Sequence, residues 1–346
     1  MPTDSLDFLE QVGRLPEQLA AASEAARAVP LDGVAQAGDI DNIVVVGLGG
    51  SGIAGDVLAS VTSGELPVPV TVLKRIRPPA FVGPRTLVFA LSYSGGTEET
   101  LLMTRGCLDA GAHVVAVTRG GRLGEMVEAR GGRVVACPDG FMARAGLGAL
   151  VAPLFVLLAR VGVLADVDAP LGQAGEQLAR RRDRCRPEIT GAANPARELA
   201  RVIGRTIPIV YGTGALGAVA AYRWKCDVNE NAKAPAFCNA YPELAHNEVC
   251  GWGQHGDVTR QVLTLVQLRH GFEHERLAPR VAATTEIIEE TLSDVLTVVA
   301  EGEGRLAQLL DLMYLGDWTS CYLALDNDVD PGPVDAISQL EERVRA

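Results

Sequence analysis

Three side chains of this sequence have the types that acid–base chemistry beside a carbonyl requires. Glu230 lies in Asn229-Glu-Asn-Ala-Lys233, His246 in Leu244-Ala-His-Asn-Glu-Val249, and Arg144 in Pro138-Asp-Gly-Phe-Met-Ala-Arg-Ala-Gly-Leu-Gly148. A carboxylate takes the proton next to the carbonyl, and an imidazole shuttles a second proton. A guanidinium faces the oxygen on which negative charge develops. Glu230 ends an expected helix, where the local field opposes a negative charge and so suits a base. Each residue also has a plainer reading. Glu230 is then a solvated helix-end carboxylate paired with Lys233, His246 a surface histidine, and Arg144 a surface arginine at a helix start. A zinc set of Cys238, His246, Cys250 and His255 is disfavoured, because its spacings match no usual ligand pair.

A substrate for such groups must be held, and two loops have the chemistry to hold a phosphate monoester. Ala90-Leu-Ser-Tyr-Ser-Gly-Gly-Thr-Glu-Glu-Thr100 places Ser92, Ser94 and Thr97 around Gly95-Gly96. An apolar run precedes it, and a helix with acidic residues in its first turn follows. Hydroxyls, loop amides and a helix N-terminus together make an anion site. The second loop, Gly47-Leu-Gly-Gly-Ser-Gly52, follows a strand and adds Gly50 and Ser51. Neither loop carries a P-loop lysine. Gly47, Gly49 and Gly52 also fit G-x-G-x-x-G, the dinucleotide pattern. The next strand ends in Lys74-Arg75 rather than an acid, so an NADP-dependent oxidoreductase stays open as a third reading.

The elements that position these loops alternate. Strands are expected over 43–46, 70–73, 87–91, 113–118 and 133–136, with helices over 54–60, 100–109 and 123–129 between them. A long apolar helix over 147–163 closes the domain. Such alternation gives a parallel sheet with helices on both faces. Ligands then bind beyond the carboxyl ends of the strands, where both loops lie. The chain divides into a helical arm (1–38), a first α/β domain (39–165), a polar connector (166–196) and a second domain (197–346) with a C-terminal helix. The connector's run Arg180-Arg-Arg-Asp-Arg184 reads as a solvated helix face. The second domain repeats the strand–Gly turn–helix start at 207–211 and Gly212-Thr-Gly-Ala-Leu-Gly217, with Leu216, Ala220, Trp224 and Val228 on one stripe. Further strands fit 262–268 and 295–299, and helices 276–292 and 305–325. This second turn lacks the serines, which puts the phosphate in the first domain.

G-x-G-G-S-G followed by S-Y-S-G-x-T-E-E-T resembles the sugar isomerase (SIS) domain family. N-E-N-x-K, H-N-E and a final D-P-x-P-V, with an arginine before the earlier long helix, are similar to its bifunctional phosphoglucose/phosphomannose isomerase branch. The resemblance implies two flavodoxin-like SIS domains, a homodimer with a shared active site, and no metal or cofactor. It implies interconversion of glucose or mannose 6-phosphate with fructose 6-phosphate through a cis-enediol. By motif, Gly50, Ser51, Ser92, Ser94 and Thr97 would hold the phosphate, and Glu230 would move the proton between C1 and C2. Arg144 would stabilise the enediolate. His246, from the neighbouring subunit, would assist ring opening. Three positions depart from the branch: Gly332 for a threonine, Glu341 for a lysine, and Gly96 for a common asparagine. The first two motivate a second reading, a phosphosugar-binding or regulatory protein without turnover.

Composition narrows the classes further. The 346 residues suffice for two domains. A net charge of −12 disfavours non-specific nucleic-acid binding. The acidic first ten residues lack the positive start of a signal peptide, and no stretch reads as a membrane span. Seven cysteines without C-x-x-C fit reduced thiols, so a cytoplasmic protein is expected.

Overall fold

The computed structural model describes residues 3–345. The chain forms two compact units. One is Arg14–Glu176; the other joins the residues up to Gly13 to those from Gln177 onward. The expected arm is two helices, α1 (Phe8–Gly13) and α2 (Leu15–Ala28), and they fall in different units. Pro16 sits in the first turn of α2, where its missing N–H is not needed.

In the N-terminal unit, β1 (Asn42–Val46) leads into α3 (Gly49–Val61), and β2 (Val70–Leu73) precedes β3 (Thr86–Leu91). Then come α4 (Glu98–Asp109), β4 (His113–Thr118), α5 (Gly121–Glu128), β5 (Arg133–Ala136) and α6 (Leu147–Arg160). The strands pair in parallel in the order β2-β1-β3-β4-β5. β3 is buried along its whole length, which is why its sequence is a continuous apolar run. The order reverses between β1 and β3, and that crevice is where ligands of such sheets bind. α2 crosses α6 closely at Gly148, where a Cβ would meet the Leu19 N at 2.9 Å and the Leu15 carbonyl oxygen at 3.0 Å.

The expected polar connector contains a helix, α7 (Asp168–Cys185), and α8 (Pro195–Ile203) follows it, capped by Asn194. The Arg180–Arg184 run is not a uniformly solvated face. The Arg181 side chain is only 2% exposed, and its Nη2 is 2.7 Å from Asp311 Oδ2. Gln177, Arg181 and Cys185 are spaced four apart and are all buried. Helical periodicity therefore turns one arginine of the run inward.

In the C-terminal unit β6 (Ile207–Thr213) leads into α9 (Gly214–Asn231). β7 (Phe237–Tyr241), α10 (Gly256–Val262), β8 (Leu263–Arg269), α11 (Leu277–Ile288), β9 (Asp294–Val299), α12 (Gly304–Asp326) and α13 (Asp335–Arg345) complete it. Its parallel sheet runs β7-β6-β8-β9, so β6 and β8 flank the same kind of reversal as β1 and β3. α12 is buried without a break from Leu309 to Ala324. It packs on α9, where Trp224 Nε1 donates to the Leu312 carbonyl at 2.7 Å and Gly316 leaves room for the indole. That contact uses the apolar stripe expected for α9. The edge strand β7 was not expected from the sequence, because Phe237-Cys-Asn-Ala-Tyr241 has neither alternation nor a continuous apolar run. Among the described residues no helix is long and apolar enough to cross a membrane.

Candidate active site

Two turns end β1 and β3 on one edge of the N-terminal sheet. In the first, Gly47 and Gly52 close the strand onto the helix. A Cβ on Gly52 would lie 2.7 Å from the Gly47 oxygen, and one on Gly47 2.9 Å from the Ser51 carbonyl carbon. Ser51 and Gly50 are half-buried in the first turn of α3. In the second turn, Ser92 Oγ and Thr97 Oγ1 are 3.0 Å apart, and Gly95 N donates to Ser92 Oγ at 3.2 Å. Gly96 N donates to the exposed Ser94 Oγ at 3.3 Å. Gly95 has φ +70°, and a side chain there would run into the Gly120 carbonyl. The hydroxyls thus bond one another and loop amides at a helix start, which is an anion-binding arrangement.

Tyr93, between the two serines, ties this loop to the segment that carries Arg144. Its hydroxyl donates to the Pro138 oxygen at 2.8 Å and accepts from Phe141 N at 3.3 Å. Arg144 stands on the short turn Ala143–Ala145, which packs on α3. It is 7% exposed, so the surface-arginine reading is overturned. Gln18 of α2 fixes the same turn, donating from Nε2 to the Ala145 oxygen at 2.8 Å. Burial of the turn between α2, α3 and the Tyr93 ring turns the guanidinium inward. Gly50, Ser51, Ser92, Ser94, Thr97 and Arg144 therefore belong to one neighbourhood of the N-terminal unit. Where β2 ends, Lys74 Nζ is 2.5 Å from Asp56 Oδ2 of α3. A dinucleotide site would need an acid at that strand end.

Glu230 stands in the last turn of α9 and lines a cavity of about 620 Å³ with Asn229, Lys233, Asp330, Pro333 and Ile337. Lys233 at φ +55° ends the helix, and Ala234 N reaches back to the Val228 oxygen at 3.4 Å. Lys233 Nζ donates to the backbone oxygens of Glu230 (2.6 Å), Asn231 (3.2 Å) and Pro331 (3.2 Å). Lys233 thus bonds the end of α9 and the Asp330-Pro-Gly-Pro-Val334 turn together. Asp330 caps that turn, taking Gly332 N at 2.9 Å and Ser5 N at 3.3 Å. Gly332 is itself explained, because a Cβ there would lie 3.0 Å from Leu6 Cβ. Glu341 is exposed on α13.

His246 is exposed on the turn after β7, with Nε2 accepting from Arg280 Nη1 at 3.4 Å. The turn is fixed by its neighbours. Asn239 Nδ2 donates to Glu248 Oε2 at 2.5 Å, and Tyr211 of β6 donates its hydroxyl to Oε1. Asn247 bonds Glu243 at 2.8 Å and accepts from Glu248 N at 2.6 Å. Tyr93, Asp330 and Glu248 were not singled out from sequence, and Lys233 was read only as a partner of the Glu230 carboxylate. Only their place inside the quoted motifs marks them. Among the described residues no group of three or more His, Cys, Asp or Glu is arranged to hold a metal ion.

Comparison with known proteins identifies the family and the fold. The bacterial phosphoglucose isomerase C-terminal SIS domain matches residues 192–344. A bifunctional phosphoglucose/phosphomannose isomerase of Caldicellulosiruptor bescii is 36% identical over 97% of this chain and 98% of its own. One from Thermoplasma acidophilum is 32% identical over 98% of each chain. Among solved structures, the C-terminal domain of glucosamine-fructose-6-phosphate aminotransferase from Francisella tularensis superposes with a TM-score of 0.71. It covers 94% of this chain and 98% of its own at 17% identity, a likeness of fold. The two parallel α/β units are SIS-type domains, and the chain belongs to the bifunctional phosphoglucose/phosphomannose isomerase family.

Proposed function

We propose that this chain is an aldose–ketose isomerase that interconverts glucose 6-phosphate or mannose 6-phosphate with fructose 6-phosphate. The observation that carries the reading is the hydroxyl-lined pair of turns at the β1/β3 crevice with Arg144 buried beside them, in a chain whose full-length relatives are named for this reaction.

The roles follow from the chemistry of each group. Gly50, Ser51, Ser92, Ser94 and Thr97 hold the phosphate through hydroxyls and loop amides. Glu230 takes the proton from C2 of the open-chain aldose, which leaves a cis-enediolate. The O2 hydroxyl proton passes to O1, and Glu230 returns the carbon-bound proton to C1, so that C1–O1 becomes a hydroxyl and C2–O2 the ketone. Arg144 lowers the energy of the charge on the enediolate oxygen. His246, contributed by the second subunit of a homodimer, moves a proton between the ring oxygen and O1 during ring opening. No step calls for a metal or a redox cofactor. The protein works in the cytoplasm.

The test is proton exchange. In heavy water, fructose, glucose and mannose 6-phosphates are followed by NMR with wild type and Glu230→Gln. Exchange of solvent deuterium into C1 and C2 is expected for wild type, and a loss of at least about 10³-fold is expected in the variant. Equal exchange in both proteins would remove Glu230 as the base. Glu341, acidic where the branch has a lysine, favours a second reading in which the chain binds the sugar without turnover. That reading requires wild type to bind the three sugars and exchange none.

A further inference from the structure

The C-terminal sheet has its own crevice, between the ends of β6 and β8, where Gly212 pairs with Leu268 in the register. It corresponds to the β1/β3 crevice by strand order and by the Gly turn that follows the central strand. The loop after β8 is Arg269-His-Gly-Phe-Glu-His-Glu-Arg276, with no serine or threonine. It carries a carboxylate instead. Glu273 Oε1 accepts from His270 N at 3.0 Å, from Arg269 Nε at 2.8 Å and from the hydroxyl of Thr213. Its Oε2 accepts from Arg269 Nη2 at 2.6 Å and Nε at 3.0 Å. Thr213 is the N-cap residue of α9, and its hydroxyl also lies 3.2 Å from the Leu268 oxygen. The Glu273 side chain is 9% exposed. His270 Nε2 donates to the Thr213 oxygen at 2.9 Å, while Nδ1 accepts from Phe272 N at 3.1 Å. That pattern fixes a neutral imidazole as a clip between loop and helix start.

We infer that the C-terminal half contains a second oxyanion cradle, and that the chain fills it with its own Glu273. A guanidinium, a hydroxyl and a backbone amide around one carboxylate form the donor set that a phosphate would take. The site sits at the strand-order reversal, where a ligand is expected. Burial alone would disfavour the charged carboxylate, but the bonds from Arg269, Thr213 and His270 outweigh it and hold the group below the usual carboxylate range. The consequence is that only the N-terminal half of each chain offers its loop donors to a phosphate. The inference stands on this cluster alone and does not depend on the isomerase reading.

Removing the carboxylate should open the cradle to an added anion. Thermal unfolding of wild type, Glu273→Ala, Glu273→Ser and Glu273→Gln is compared in chloride and in inorganic phosphate at equal ionic strength. Wild type sets the response of the N-terminal half. Glu273→Ala and Glu273→Ser should gain roughly 2–4 °C more from phosphate than wild type does. Adding Arg269→Ala to Glu273→Ala should abolish that gain. Glu273→Gln fills the same volume and should gain no more than wild type. Should Glu273→Ala not fold in chloride, recovery of folding in phosphate supports the inference. Equal phosphate responses in all four proteins overturn it. So does failure of Glu273→Ala in both media while Glu273→Gln folds, because Glu273 would then be a packing group.

Discussion

The two halves share one frame and treat its crevice in opposite ways. Both begin with a central strand whose Gly turn closes onto a helix, Gly47 with Gly52 in one and Gly212 with Gly217 in the other. In each pair the glycines are five residues apart and touch backbone to backbone. In both, the next loop along the sheet faces the same reversal of strand order. The N-terminal loop offers hydroxyls that bond one another and loop amides. The C-terminal loop offers a carboxylate that already uses up the donors around it. A fold that can bind a ligand at either half becomes single-sited when one half supplies the charge internally. α9, which starts at that second turn, carries Glu230 in its last turn.

The shared frame should break alike in both halves, and this is the largest effect expected. Gly212→Ala would drive a Cβ into the Gly217 carbonyl, and Gly47→Ala would press one onto Ser51. Each should cost roughly 3 kcal/mol or more in chemical denaturation, with Gly212→Ala the worse. A cost near zero in one half would show that its turn is not built on glycine contact.

The difference between the crevices should then separate binding from stability. Ser94→Ala combined with Thr97→Val should raise KM for a hexose 6-phosphate roughly 10–100-fold with little change in melting temperature. Thr213→Val removes the corresponding hydroxyl of the other half. It should lower stability by about 1–2 kcal/mol and leave KM unchanged. If Thr213→Val moved KM instead, the two halves would share the work of phosphate binding.

The smallest effect concerns charge buried under Glu230. On α9, Arg223 Nε lies 2.8 Å from Asp227 Oδ2 and 3.0 Å from Asp317 Oδ1 of α12, and all three residues are buried. Burial pushes the Asp227 carboxyl well above its ordinary range despite the Arg223 charge, with Asp317 and Glu230 adding to the rise. The folded state therefore keeps a proton that the unfolded chain releases above pH ~4. Stability falls as pH rises from there towards the raised folded value. Asp227→Asn cannot ionise and should lose that slope, gaining on wild type as pH rises above ~4. Parallel stability curves for the two proteins would show that Asp227 is ionised in the fold.

Much of the frame was legible in the residues. The strands at 70–73, 113–118 and 133–136 fall where expected, and most other elements differ by a few residues at their ends. Buried parallel strands are short apolar runs between glycine turns, and that pattern is local. β7 and α8 escaped because their stability comes from neighbours, namely pairing with β6 and packing on α12. The inward turn of Arg181 escaped for the same reason, since its partner Asp311 lies 130 residues away.

By itself the sequence determined the two-domain α/β class, the Ser- and Gly-rich turn motifs and the residue types that acid–base chemistry requires. Those depend on residue type, spacing and helix or strand period, which the chain carries locally. The tertiary structure alone decided which polar groups are already satisfied. It buried Arg144 beside the serine loop, set Lys233 across the end of α9 and the Pro331 turn, and closed the second crevice with Glu273. A carboxylate, a guanidinium and a hydroxyl read the same in a sequence whether they await a ligand or hold one another. Only distance and burial separate the two, because an ionic hydrogen bond is made or lost within an ångström.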